Sequence, residues 1–203
     1  HISNFTDFEP LVVDEEVELS FISNAGDTHT CDLVVLPGSK RVIDDLEWLR
    51  ERGFEKVLSS KEQKVVAICG GDAVMLEYML DPTFIESEQK EISGFGLLKG
   101  EVVFAEEKIV KKGTYNLFGF MVDGYEIHNG IAKKRSKKRK NLYATFVHGL
   151  FDSDEIRHHL FSEIDPKYEG YNFKKYKAKA IKNFAKHIDK HVDMDFIEKV
   201  LHE

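Results

Sequence analysis

Cys69 ends the run Lys64-Val65-Val66-Ala67-Ile68-Cys69-Gly70-Gly71, where an apolar stretch stops at a thiol and two glycines before a helical pattern begins. At a sharp strand-to-helix turn of this kind the side chain stands at the strand's C-terminal edge, and the glycines leave room for the bend and for a substrate. The N-terminus of the following helix stabilises a thiolate, the reactive form of cysteine. Such a nucleophile needs a base. His148, in Ala144-Thr145-Phe146-Val147-His148-Gly149-Leu150-Phe151, leaves a strand in the same way, and the two residues would form a Cys-His dyad. The turns at Gly38-Ser39 and at Gly70 would supply backbone N–H groups to an oxyanion. The chemistry so predicted is acyl transfer or amide hydrolysis. A core thiol and a structural histidine satisfy the same local pattern.

The elements around these residues alternate between strand and helix. Residues 16–22 alternate polar and apolar as a half-buried strand does, and residues 31–36 read as a buried strand ended by Pro37-Gly38. Ser39 is placed to cap a helix over residues 40–52, which Gly53 stops, and a short helix follows over 54–63. A strand over 65–69 and a helix over 71–80, ended by Asp81-Pro82, complete a β-α-β-α pattern that predicts a mostly parallel sheet with helices on both faces. Strands are predicted over 101–104, 108–111, 115–122 and 142–147, with an antiparallel portion in this second half. The segment Asp152-Ser153-Asp154-Glu155 has capping-box spacing and opens a helix to about residue 164; further helices cover 173–191 and 194–201. Gly38, Cys69 and His148 all fall at C-terminal strand ends, where open α/β sheets bind ligands.

The chain has 203 residues, 42% hydrophobic and 32% charged, which suits one α/β domain with a core over about 12–164 and a helical C-terminal segment over about 165–203. No apolar run approaches the roughly 20 residues needed to span a bilayer, so no membrane partner is expected. Cys31 and Cys69 are far apart and form no CxxC pair, which points to a reducing cytoplasm and to neither a disulfide framework nor a metal site; Cys31 reads as core. The chain opens on His1 without an initiator methionine, which suggests a fragment or a processed chain. A net charge of -7 argues against nucleic-acid binding. The basic run over residues 133–140 goes the other way, but it lacks interleaved aromatics and reads as a solvated loop.

The motifs Leu36-Pro37-Gly38-Ser39-Lys40, Ile68-Cys69-Gly70-Gly71, Gly94-Phe95-Gly96-Leu97-Leu98, Gly124-Tyr125-Glu126-Ile127-His128-Asn129-Gly130 and His148-Gly149-Leu150-Phe151-Asp152 together resemble the glutamine amidotransferase domain of the cobyric acid synthase family. The opening Ile2-Ser3-Asn4-Phe5-Thr6-Asp7-Phe8 and the ending His191-Val192-Asp193-Met194-Asp195 extend the resemblance over nearly the whole chain. It implies the class I glutamine amidotransferase (flavodoxin-like) fold. It further implies that L-glutamine is hydrolysed through a thioester on Cys69 with His148 as base and acid, and Gly38, Ser39 and Gly70 around the oxyanion. In this family the ammonia passes to an ATP-dependent synthetase domain that amidates carboxylates of adenosylcobyrinic acid a,c-diamide, a corrinoid, in cobalamin biosynthesis. That domain lies N-terminal and is absent from this chain. ATP and Mg²⁺ belong to it, and no cofactor is implied here.

Three positions depart from the family's elbow, which reads Gly-Ile-Cys-Gly-Gly-Tyr-Gln: Ala67, Asp72 and Ala73. Ala73 removes a glutamine that lines the substrate pocket in related enzymes, and a carboxylate at Asp72 near Cys69 would oppose thiolate formation. They motivate a second reading, an impaired domain that docks on or regulates the synthetase. A third is an amidotransferase with another acceptor, such as a cell-wall precursor. The group that orients His148 is open between Asp152, which also reads as a helix cap, and a backbone carbonyl. His128 is the rival base; strand alternation puts it on one face with Glu126, opposite Tyr125 and Ile127.

Overall fold

Side chains on a strand alternate between its two faces, and that alternation divides the core in two. The computed structural model describes residues 2–60, 63–137 and 140–201. In chain order its regular elements are α1 (Glu9–Val12), β1 (Leu33–Leu36), α2 (Val42–Glu51), α3 (Phe54–Leu58), β2 (Lys64–Ile68), α4 (Gly70–Met75), β3 (Tyr78–Leu80), β4 (Glu91–Ser93), β5 (Leu98–Leu117), β6 (Phe120–Lys137), β7 (Leu142–Thr145), α5 (Asp154–Ser162), α6 (Phe173–His191) and α7 (Met194–Leu201). Strands β1, β2 and β7 form a parallel sheet in the order β1-β2-β7. On one face Val65 and Ala67 of β2 join Leu142 and Ala144 of β7 beneath α2, α3 and α4. On the other, Val66, Ile68 and Tyr143 pack with Phe8, Leu11, Leu150 and the α5 residues Ile156, Leu160 and Phe161. Burial on both faces is why these strands read as unbroken apolar runs.

A second sheet, ordered β4-β3-β5-β6, is mixed: β3 runs parallel to β5, and the β3–β4 and β5–β6 pairs are antiparallel. Its largest part is the ribbon of β5 and β6, closed by the two-residue turn Phe118-Gly119 with φ of 58° and 97°. Two positive φ values give the turn the twist that a tight hairpin needs.

The strand and helix pattern departs from expectation at several places. The predicted helix over 71–80 stops at Met75; Leu76 is extended, Glu77 N–H donates to the Gly100 carbonyl, and residues 78–80 become β3 because two neighbouring strands take up their hydrogen bonds. The strand expected over 115–122 straddles the hairpin turn, and residues 101–104 and 108–111 are parts of one strand, β5. Residues 133–137 of the basic run are the end of β6, with Lys133 opposite Glu101, and residues 138–139 lie outside the described residues. Residues 16–22 join no described strand. Instead Asp14 accepts from the Tyr168 hydroxyl and the Glu16 carboxylate accepts from the N–H groups of Glu169 and Gly170, which ties this segment to the loop after α5. Between it and β1 lies a cavity of about 1280 Å³ lined by Val17, Leu19, Phe21 and Leu33 among others. Helices α2 and α3 are shorter than predicted, α6 and α7 have the predicted bounds, and no described helix is long and apolar enough to cross a membrane.

Candidate active site

Cys69 is the first residue beyond β2. Its N–H donates to the Thr145 carbonyl at the end of β7 (2.8 Å), and its carbonyl accepts from Ala73 inside α4 (3.1 Å). One residue must therefore turn the chain from strand to helix, and Cys69 does so at φ 52° and ψ −109°. A non-glycine side chain in that region carries strain of about 1–3 kcal/mol, which the flanking elements sustain. The two glycines behind it are needed for space. A methyl group on Gly71 would press into the Leu36 carbonyl, and one on Gly70 would lie 2.8 Å from the Ser39 nitrogen. Gly71 N–H donates to the Pro37 carbonyl (3.1 Å), so the loop after β1 and the turn after β2 are held against each other.

That packing puts Gly38 between the two candidate reactive side chains. A methyl group there would sit 2.9 Å from His148 Cε1 and 3.4 Å from Cys69 Cβ. The Ser39 hydroxyl is turned away from this chemistry: it donates to buried Asp45 and accepts from Arg41 N–H (2.9 Å), fixing the loop that enters α2. The helix begins at Val42, not at residue 40, so Ser39 acts as a loop brace ahead of it.

His148 follows β7 and forms an isolated antiparallel bridge with Tyr125 of β6, each backbone donating to the other (3.2 and 2.8 Å). The Tyr125 ring stacks on the imidazole with centroids 5.1 Å apart and planes 17° from parallel. The orienting group is neither Asp152 nor a backbone carbonyl. Asp7 Oδ2 lies 2.7 Å from His148 Nδ1, and Asp7 Oδ1 accepts from Gly149 N–H at 2.9 Å. Asp7 and His148 are each 2% exposed. Burial pulls the imidazole pKa down, but hydrogen bonds to Asp7 and Cys69 and the charges of both push it up from 6.5 to about 9. The ring is therefore favoured in its imidazolium form, held between the Asp7 carboxylate and the Cys69 sulfur.

Asp152 is 3.8 Å from Lys177 and partly exposed, and the cap of α5 is Ser153, whose Oγ accepts from Ile156 N–H. His128 has both ring nitrogens engaged, Nε2 with Glu126 (3.0 Å) and Nδ1 with the Gly130 carbonyl (2.7 Å), and its ring lies over Phe146. Glu126 and His128 do share a face; between them the Ile127 carbonyl stands 4.0 Å from Cys69 Sγ. The structure thus brings Cys69, His148, Gly38 and Gly70 together and leaves Asp152 aside. Asp72 and Ala73 are buried in α4 at 0% and 1% exposure. Cys31 is half-buried, with Sγ 3.7 Å from the Asp27 carbonyl. The residues that sequence reasoning missed are Asp7 and Asn4, and their one signal was the family-like opening segment in which both lie.

Comparison with known proteins adds to this geometry. Residues 1–156 match the CobB/CobQ-like glutamine amidotransferase domain family. The chain is 36% identical to the cobyric acid synthase of Acinetobacter baylyi, over all of this chain and 44% of that protein. It is 33% identical to that of Listeria monocytogenes, over 98% and 46%, and 30% identical to that of Clostridium perfringens, over 99% and 47%. The chain therefore spans less than half the length of these curated relatives. A solved structure described as a glutamine amidotransferase superposes with a TM-score of 0.59 over 80% of this chain and 94% of that one, at 13% identity, which shows a shared fold.

Proposed function

The chain belongs to the CobB/CobQ-like glutamine amidotransferase family, and from that premise we propose that it hydrolyses L-glutamine through a thioester on Cys69. The Cys69 thiolate adds to the side-chain amide carbon. The developing oxyanion is met by the backbone N–H groups of Gly38 and Gly70. The His148 imidazolium gives its proton to the amide nitrogen, the C–N bond breaks, and ammonia leaves a glutamyl thioester. His148 then takes a proton from water as the water attacks, and glutamate is released. Asp7 keeps Nδ1 protonated and pointed, so that the other ring nitrogen is the one presented to sulfur.

The observation that carries this reading is the positive-φ turn at Cys69 beside a buried His148–Asp7 pair. The reading of the downstream step is supported by the relatives, which are named cobyric acid synthases and are about twice this length. We assign to the part that this chain does not contain the ATP- and Mg²⁺-dependent amidation of a corrinoid carboxylate, with ammonia as the link. The domain itself is assigned no cofactor. Cys69→Ser should abolish glutamate release, and a diazo-ketone glutamine analogue should label Cys69. Labelling of Cys31 alone would sink the assignment. Undiminished folding with no glutamate release under saturating glutamine and ATP, with the synthetase part present, would favour the docking role instead.

A further inference from the structure

We propose that Asn4 is a positioning residue that joins Asp7 and Tyr125 into one clamp on the His148 imidazole; this rests on the glutaminase reading above. The Nδ1 nitrogen of His148 carries a single hydrogen and has two neighbours, Asp7 Oδ2 at 2.7 Å and Asn4 Nδ2 at 3.1 Å. Two donors do not bond to each other. The ring hydrogen therefore goes to Asp7, and the Asn4 amide hydrogens go to the Tyr125 hydroxyl oxygen and to Asp7 Oδ2, 3.3 Å away. The orientation of the amide follows from Asp7, whose carboxylate only accepts, whereas Thr6 Oγ1, 2.6 Å from Asn4 Oδ1, could donate or accept. Flipping the amide would set its oxygen against the Asp7 carboxylate.

An imidazole can err in two ways, by turning in its plane and by tilting out of it. Asp7 fixes the first through Nδ1. Tyr125 fixes the second, since its ring lies nearly parallel to the imidazole and its backbone is hydrogen-bonded to that of His148 in both directions. Asn4 ties these two supports together with one amide group. Near-attack geometry is sensitive to shifts of about 1 Å in a catalytic group, so a linker bonded to Asp7 and Tyr125 governs the rate through the histidine they hold.

The test uses Asn4→Ala, Asn4→Asp, Tyr125→Phe and the Asn4→Ala/Tyr125→Phe double variant in the intact protein. Glutamate release should fall about tenfold in kcat for both Asn4 variants, with KM changed by less than about twofold, because the bonds of Asn4 go to Asp7, Tyr125 and Thr6 and its effect is on the histidine. The double variant should lose no more than Asn4→Ala alone, as expected for two ends of one linkage. Carbamidomethylation of Cys69 by iodoacetamide reads the same clamp without glutamine: its pH profile should shift in the single variants as the imidazole loosens. This readout separates the two claims, since an unshifted alkylation profile defeats the clamp even where glutamine is hydrolysed. A shifted profile with no glutamine hydrolysis by the unaltered protein leaves the clamp standing and defeats the glutaminase reading. Unchanged kcat in Asn4→Ala, or losses that multiply in the double variant, would also overturn the clamp.

Discussion

Asp7 and His148 stand 141 positions apart in the chain, yet Asp7 Oδ2 is 2.7 Å from His148 Nδ1 and both side chains are sealed from solvent. The carboxylate comes from a short 3₁₀ turn over Phe5–Phe8, which is anchored by Phe8 in the core beneath β2 and β7. Asp7→Asn preserves shape and removes charge, so kcat for glutamate release should drop by about 10² to 10⁴. Asp152→Asn, which alters a partly exposed carboxylate paired loosely with Lys177, should stay within about twofold in the same assay.

The raised pKa of His148 makes stability depend on pH in a definite direction. Its folded value, about 9, lies above the ordinary 6.5, so the stabilisation is complete below about pH 6.5 and disappears as pH climbs through 9. The shift corresponds to roughly 3 kcal/mol. Urea unfolding at pH 6, 8 and 10 should show this decline in the native protein and a much flatter profile in Asp7→Asn. Equal slopes in the two proteins would mean that Asp7 does not set the imidazole's protonation.

Two glycines near Cys69 should separate activity from folding. In Gly38→Ala the new methyl group meets the edge of the imidazole, a side chain and not backbone, so catalysis should fall at least tenfold with a smaller loss of melting temperature than in Gly71→Ala. In Gly71→Ala the obstacle is the Leu36 carbonyl, which is backbone, so the loss should appear as destabilisation of about 2 kcal/mol or more. Thermal melts read beside glutamate release would check both.

The backbone at Cys69 offers a measure of stored strain. Cys69→Gly and Cys69→Ala both lack the thiol and should both be inactive. Glycine accepts φ 52° without penalty, whereas alanine keeps the strained side chain; glycine's larger unfolded-state entropy opposes this by about 0.4–1 kcal/mol. The glycine variant should therefore be the more stable by about 1 kcal/mol in denaturant titrations. A less stable glycine variant would show that the turn is unstrained.

The legible parts of the fold were those whose signal is local. The amphipathic period of residues 173–191 runs unbroken from Asn172, which caps α6, to His191, and α6 forms with those bounds. The elbow is legible for a similar reason, because thiol, glycines and preceding apolar strand are contiguous. Residues 74–80 failed because Val74, Met75, Leu76, Met79 and Leu80 spread apolar side chains around most of a helical wheel, and only pairing with β4 and β5 decides that Tyr78–Leu80 form a strand. Residues 16–22 failed in the opposite sense: they have a strand's alternation, but the bonds of Asp14 and Glu16 to the loop after α5 hold them out of the sheet. Asp7 was hidden because nothing within the segment Asn4-Phe5-Thr6-Asp7 says that it will close over a histidine from the other end of the chain.

The first residues of the described chain do more than lead into the domain. Ser3 N–H donates to the Gly38 carbonyl at 3.0 Å, Asn4 reaches Tyr125, and Asp7 reaches His148, all within five positions. Foldedness and competence are therefore reported by different parts of the molecule. A spectrum that registers α2, α5 and the parallel sheet would barely register the displacement of this segment, although the imidazole would have lost its carboxylate. A substitution or insertion between Ser3 and Asp7 therefore acts on the groups that orient the histidine, and changes the state of the active site before it changes the fold.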